Sequence, residues 1–463
     1  MPDRLSHLDV SFLHLESPSM PMHVGGVAIF EAPARGFDYE AFVELIRSRI
    51  PLVPRYRQKV RWVPGGVGNP VWIDDSDFDL SYHVRRSALP KPGTDKQLKD
   101  FVARVQSRPL DRARPLWEIY VIEGLAAGRL AVMTKTHHAM VDGIGAIDMG
   151  QVILDASPDT PPVQADDWTP EPEPSGAELV TGVLGEWLRK PTDIAESVRA
   201  EASSLQALAR RTAGVAGGLF TYAVTTARSA PETPWNVPIG QARRFAMASS
   251  DLDDYKRIRK THGGTVNDVV LATVAGALRA WMQTRGENVA SGMTLRAMVP
   301  VSVRGDSPGA VLGNRVSTYF VDLPVGESNA VIRLSQVTHS MTGLKESGQS
   351  IGAEALIGLG GFAPPTLVAL GARAAAALSK RLFNVIVTNV PGPQIPLYAA
   401  GARMLEMYPV VPLVTNQALA IGLASYNGGV FFGINADRDV LPDVDVLATC
   451  MTESLAELLE TVR

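Results

Sequence analysis

Apolar and polar positions along the first 155 residues predict strands and helices in alternation. Residues 24–30 read as a strand, 39–50 as a helix, and 55–63 as a strand with alternating basic residues. A helix at 96–106 precedes two extended runs, 117–122 and 130–136. A further helix is predicted at 144–154, with Ile144, Ile147, Gln151 and Leu154 on one stripe. Pro158, Pro161, Pro162, Pro170, Pro172 and Pro174 then rule out regular structure and mark a linker. A helical stretch at 177–228, broken near Pro191, ends in the Pro-rich segment 230–238.

The second part repeats the alternation. An extended run at 243–248 precedes a helix whose predicted capping box is Ser250 with Asp253. Thr265 with Asp268 predicts a second box, ahead of Val266, Val269, Val270, Thr273, Val274, Ala277, Leu278 and Trp281 at helical spacing. Strands at 295–303, 316–323 and 383–388 follow, with helices between the last two. A hairpin of 418–425 and 430–434 turns through Tyr426-Asn427-Gly428-Gly429, and a helix at 444–462 ends the chain. The expected fold class is α/β, in two halves: 1–156, then a linker and helical connection at 157–240, then 241–463.

Composition narrows the function. With 46% hydrophobic residues the chain can bury a large core, and its formal net charge of -4 excludes a whole-protein basic field for nucleic acid. The single cysteine, Cys450, excludes a disulfide scaffold and Cys-cluster metal sites and suits a reducing cytoplasm. Asp3, Arg4 and Asp9 interrupt what would be a signal peptide. Two uncharged runs, 212–227 and 355–372, approach spanning length; one is short and Gly-rich, the other holds Pro364-Pro365. Neither reads as a spanning helix, and the apolar run 351–378 is equally a packed core or a surface for lipid.

The densest chemical signal is Thr136-His137-His138-Ala139-Met140-Val141-Asp142-Gly143, between a strand and a helix. Strand side chains alternate faces, so only one of the two imidazoles can enter a given cavity. That argues against joint metal ligation and for one imidazole as a general base. Asp142 can orient the loop, and Gly143 permits a tight turn before the helix. No metal site is expected.

HHAMVDG resembles the HHxxxDG motif of CoA-dependent acyltransferases, a superfamily that includes chloramphenicol acetyltransferase, carnitine acyltransferases and nonribosomal condensation domains. Further segments look like the bacterial wax ester synthase/diacylglycerol acyltransferase family. They are Pro21-Met22-His23-Val24-Gly25-Gly26, Arg114-Pro115-Leu116-Trp117-Glu118, Val266-Asn267-Asp268-Val269, the run 299–304 and Thr388-Asn389-Val390-Pro391-Gly392-Pro393. They occur in that family's order across nearly the whole chain.

The resemblance implies two chloramphenicol-acetyltransferase-like α/β sandwich domains about an active-site tunnel. His138 would be the base, with His137, Asp142 and Gly143 in support. It implies fatty acyl-CoA as co-substrate, with no other cofactor, and diacylglycerol or a long-chain alcohol as acceptor. It also implies peripheral contact with the inner face of a membrane or with lipid droplets. Asn267 and Asp268, at a helix start where free N–H groups collect, are candidates for substrate or oxyanion contact, although Asp268 also suits a plain cap. Asn389, Pro391 and Gly392 are candidates for tunnel lining. Trp117 reads as core, and His23 as either core or lining. The same base could serve another alcohol or an amine acceptor, and a non-catalytic lipid-binding protein could keep the fold.

Two weaker motifs are set aside. Gly348-Gln349-Ser350-Ile351-Gly352 has the GxSxG pattern but lacks the hydrophobic strand that a nucleophile elbow needs before it. The glycines at 358–361 run into Pro364-Pro365, which block a phosphate-binding helix.

Overall fold

A computed structural model describes residues 2–33, 36–141, 149–159, 168–189, 230–303, 315–346, 351–352 and 382–462. The chain opens with α1 (His7–Leu15), started by a reciprocal capping box between Ser6 and Asp9. β1 (His23–Glu31) and α2 (Tyr39–Arg49) follow. A hairpin of β2 (Gln58–Arg61) and β3 (Val71–Asp74) precedes α3 (Leu80–His83) and β4 (Val84–Ala88). Next come α4 (Asp95–Gln106), boxed by Thr94 and Gln97, then β5 (Trp117–Leu125) and β6 (Arg129–His137). α5 (His138–Val141) and α6 (Met149–Val152) lead to α7 (Gly176–Arg189), which packs Leu179 and Val183 on Val63, Val71 and Ile73 beside the hairpin.

The remaining elements are β7 (Arg243–Asp251), α8 (Leu252–His262), α9 (Val266–Thr284), β8 (Leu295–Val303) and β9 (Arg315–Leu323). Then come α10 (Ala330–Glu346), β10 (Ile351–Gly352), β11 (Val385–Pro391), β12 (Tyr398–Ala399) and β13 (Ala402–Val410). β14 (Leu419–Tyr426), β15 (Gly429–Asp437) and α11 (Val444–Glu460) close the chain. The α/β class stands.

Two local readings are corrected. The stretch predicted as one strand at 55–63 begins as a 3₁₀ turn at Pro54–Arg57, and only Gln58–Arg61 is extended; Pro54 fixes a helical φ at the start of that turn. The cap of α8 is Asp251, which accepts from the Asp253 N–H at 2.8 Å, because the helix begins one residue later than the proposed box requires. Ser250 is opposite Val430 in the sheet, with its hydroxyl 3.0 Å from that of Tyr255.

Among the described residues the strands form two large sheets. One runs β12-β13-β1-β6-β5-β4, the other β10-β9-β8-β11-β14-β15-β7. β13 was not foreseen, and it takes residues beyond 241 into the sheet of the first half, where Val410 lies opposite Gly25. Pro409 makes the run a poor strand in sequence, since proline removes a ladder donor. Its carbonyl edge is accommodated by glycine: a Cβ built on Gly433 would lie 1.9 Å from the Pro409 oxygen. We therefore expect Gly433→Ala to lose about 1–3 kcal/mol of stability in urea unfolding, the usual cost of forcing a methyl into packed backbone.

The second core centres on α9, whose periodic apolar positions are sealed against the sheet, α10 and α11. Val270, Val274 and Trp281 are fully buried together with Leu447 and Leu458. Burial of side chains this large is worth roughly 1.5–3 kcal/mol each before entropy is subtracted. The β14–β15 hairpin turns through Asn427 and Gly428 at positive φ, a pair suited to a two-residue turn. Among the described residues no helix is long and apolar enough to cross a membrane. The runs 212–227, 355–372 and 358–363, residues 190–228 of the helical connection and all but the last two residues of the GxSxG pattern lie outside the described residues.

Candidate active site

β6 ends at the histidine pair, and its neighbours fix how each imidazole is used. In the β1–β6 ladder His23 is opposite His137. The His137 N–H donates to the Leu116 carbonyl at 2.9 Å, and the His138 N–H to the Met22 carbonyl at 2.8 Å. Backbone bonds thus strap together three segments that are far apart in sequence: 21–26, 114–118 and the histidine motif.

The two rings differ sharply. His137 is fully buried, and its Nδ1 accepts from the Ala139 N–H at 3.1 Å. Its remaining proton therefore sits on Nε2. Burial pushes its pKa down to about 3, against the pull of Glu16, so the ring is neutral. His138 is only half-buried, at the first position of α5, and stacks on Phe12 of α1 with ring centroids 4.3 Å apart. Strand alternation does not reach His138: β6 ends at His137 and His138 opens α5, so the turn of the chain parts the rings, leaving one sealed and the other half-buried. Asp142 and Gly143 lie outside the described residues.

Behind the pair is a polar cluster that the sequence reading missed. Glu16, at the C-cap of α1, is nearly sealed; its Oε1 lies 3.0 Å from His23 Nε2 and 3.7 Å from His137 Nε2. Its Oε2 accepts from Arg112 Nε at 2.9 Å and Nη2 at 2.6 Å. Burial would raise the Glu16 carboxyl, but hydrogen bonds from His23 and Arg112, with the electrostatic pull of the adjacent imidazoles, hold it below the usual carboxylate range. His23, which the sequence left undecided, is core; burial lowers its pKa. On the same face as His137, Lys135 is also buried, donating to the Val105 carbonyl at 3.1 Å. Among the described residues no three His, Cys, Asp or Glu side chains are arranged to hold a metal ion.

A second pair of candidates meets on the other sheet. Asn389, near the end of β11, donates through Nδ2 to Oδ1 of Asn267 in the first turn of α9, at 3.0 Å. That bond uses one of the two lone pairs of the oxygen, and the Asn267 amide also carries an NH₂ donor. Asp268 serves the helix: its Oδ2 accepts from the Thr265 N–H at 2.8 Å, and its own N–H donates to the Thr265 hydroxyl. Its other oxygen, Oδ1, is buried without a hydrogen-bond partner. Pro391 is exposed, and Gly392 is half-buried with its N–H on the Ser425 carbonyl. Trp117 is core, stacked on His83 and donating to the Tyr56 carbonyl.

Two sheets linked by an exchanged strand, with a histidine pair at a strand end, define a chloramphenicol-acetyltransferase-like two-domain fold. Comparison agrees. The first condensation domain of the calcium-dependent antibiotic synthetase superposes with a TM-score of 0.61, covering 100% of this chain and 98% of that one, at 16% identity. That likeness concerns the fold alone.

Closer relatives carry more. The wax ester synthase/diacylglycerol acyltransferase catalytic domain matches residues 5–270, and the WS/DGAT C-terminal domain matches 312–459. "Probable diacylglycerol O-acyltransferase tgs2" of Mycobacterium tuberculosis is 35% identical over 98% of both chains. Its counterpart tgs1 is 33% identical over 99% of this chain and 96% of that protein. The solved wax ester synthase/diacylglycerol acyltransferase from Marinobacter aquaeolei VT8 is 30% identical, with a TM-score of 0.69 over 98% of both. The chain belongs to the wax ester synthase/diacylglycerol acyltransferase family.

Proposed function

We propose that this protein transfers a fatty acyl group from acyl-CoA directly to the hydroxyl of diacylglycerol or a long-chain alcohol, with His138 as general base. His138 accepts the hydroxyl proton as the oxygen attacks the thioester carbonyl. It returns that proton to the departing CoA thiolate, so the base is regenerated within one turnover. Base assistance of this kind is worth about 10²–10⁴-fold in rate, and alignment of the two substrates adds to it.

The negative charge that develops on the carbonyl oxygen needs a donor. The NH₂ of Asn267, oriented by Asn389, takes that part in this reading. Asn389, Pro391 and Gly392 border the acyl tunnel between the halves in this reading, Asp268 caps its helix, and Asp142 and Gly143 are assigned a supporting part through the motif alone.

The observation that carries the reading is the unequal treatment of two adjacent histidines, one sealed as a neutral structural ring and the other half-buried against Phe12. Because acceptor and product are insoluble in water, the enzyme works at the cytoplasmic face of a membrane or at a lipid droplet, held peripherally.

Purified protein given palmitoyl-CoA is expected to form triacylglycerol from dioleoylglycerol and wax ester from hexadecanol, scored by chromatography. Product from neither, with ester or amide formed on another acceptor, would replace this assignment.

A further inference from the structure

Outside the residues assigned to the chemistry, the Glu16 cluster is a buried polar group packed directly against the histidine motif. A carboxylate with 6% side-chain exposure faces two fully buried imidazoles on one oxygen and a guanidinium on the other. Sealing an acidic group is unfavourable unless its bonds are met. Here Arg112 meets Oε2, and that arginine also donates to the Leu13 carbonyl at 2.7 Å, tying it to the end of α1.

On the other oxygen, the His137 tautomer is forced, and His23 Nε2 lies between this carboxylate and the Leu110 N–H, which reaches it at 3.4 Å. His137 Nδ1 is occupied by the Ala139 N–H, so its proton is on Nε2, facing Glu16. His23 presents Nε2 to the same atom. The Met22 N–H also reaches this oxygen at 3.4 Å, while the carbonyl of the same residue holds the His138 N–H. Glu16 therefore touches both supports of the turn that presents His138: the neighbouring ring and the Met22 strap. The helix it caps supplies the Phe12 ring on which His138 rests.

We infer that Glu16 is a positioning residue for acyl transfer, its carboxylate holding the His23 ring and the Met22 strap and facing the neutral His137 ring, and with them setting the turn that aims His138. This rests on His138 being the base. Arg112 contributes by holding the carboxylate in place.

The test compares Glu16→Gln and Arg112→Gln with the parent protein in two readouts. The first is kcat and KM for palmitoyl-CoA. The second is the ring tautomers of ¹⁵N-labelled histidines. Glu16→Gln is expected to lower kcat roughly 10–100-fold, the range for removing a partner behind a metal-bound histidine, with KM changed by no more than about twofold. His23 should switch to the Nδ1–H form, because the amide keeps its oxygen on Arg112 and turns its NH₂ toward the ring. Arg112→Gln, at a part-exposed side chain, should still fold and lower kcat about threefold, in the same direction.

Unchanged kcat in both variants, or an unchanged His23 tautomer in Glu16→Gln, overturns the inference. If Glu16→Gln does not fold, the kcat of Arg112→Gln decides. An active His138→Ala protein would remove the base assignment while leaving the tautomer result standing, so the two failures are separable.

Discussion

His138→Ala is expected to fold like the parent protein and to lose at least about a hundredfold in kcat, the lower end of what a general base supplies. The ring is half-buried and stacked on Phe12, so its removal leaves a shallow gap and no buried charge. His137→Ala should behave differently. It empties a sealed site, leaves the buried Ala139 N–H without its acceptor and removes a group facing Glu16. An unmet buried donor alone costs about 1–3 kcal/mol, so this variant should lower the melting temperature as well as activity. Steady-state kinetics paired with thermal unfolding separates the two. Equal stability losses in both variants, or full activity in His138→Ala, would contradict the division of labour.

The second large effect is acid sensitivity. His23, His83 and His137 are all held below the ordinary histidine pKa by burial. For a histidine depressed in the folded state, the unfolded chain binds the extra proton. Stability is therefore full above pH 6.5 and falls as the pH drops, down to about 3 for His137. Each proton taken up on unfolding contributes a slope of about 1.4 kcal/mol per pH unit. Glu16 adds to the loss at lower pH. Its folded pKa is depressed, so its stabilisation is present above pH 4.5 and lost below it.

We expect urea-unfolding stability to fall as the pH drops below 6.5, His137 contributing a slope of about one proton down to pH 4 and His23 and His83 adding to it in the same direction. His137→Gln should reduce that slope by one proton. A slope unchanged by the substitution would show that His137 titrates normally.

What could be read from the sequence follows from distance along the chain. α9 was legible because its capping box and apolar stripe lie within twenty residues, and the Asn427-Gly428 turn because a hairpin is local. The different burial of the two histidines was anticipated, but for another reason than strand alternation, because β6 ends at His137 and His138 opens α5. Glu16 was not: it looks like the polar end of an amphipathic segment, and its partner Arg112 is 96 positions away. Phe12 likewise reads as ordinary core until α1 is placed beside α5. β13 was hidden twice, by Pro409 within the run and by pairing with a strand from the opposite end of the chain. Asn389 was noticed only as a border residue, since nothing local links it to Asn267.

The central claim is a direct transfer in which no residue of the protein carries the acyl group. Rapid-quench measurement with radiolabelled palmitoyl-CoA, dioleoylglycerol and enzyme in excess tests it in one turnover. Label should pass from CoA thioester to triacylglycerol in a single phase, with none on denatured protein at any time. Protein-bound label that rises and decays at the rate of ester formation would contradict the mechanism.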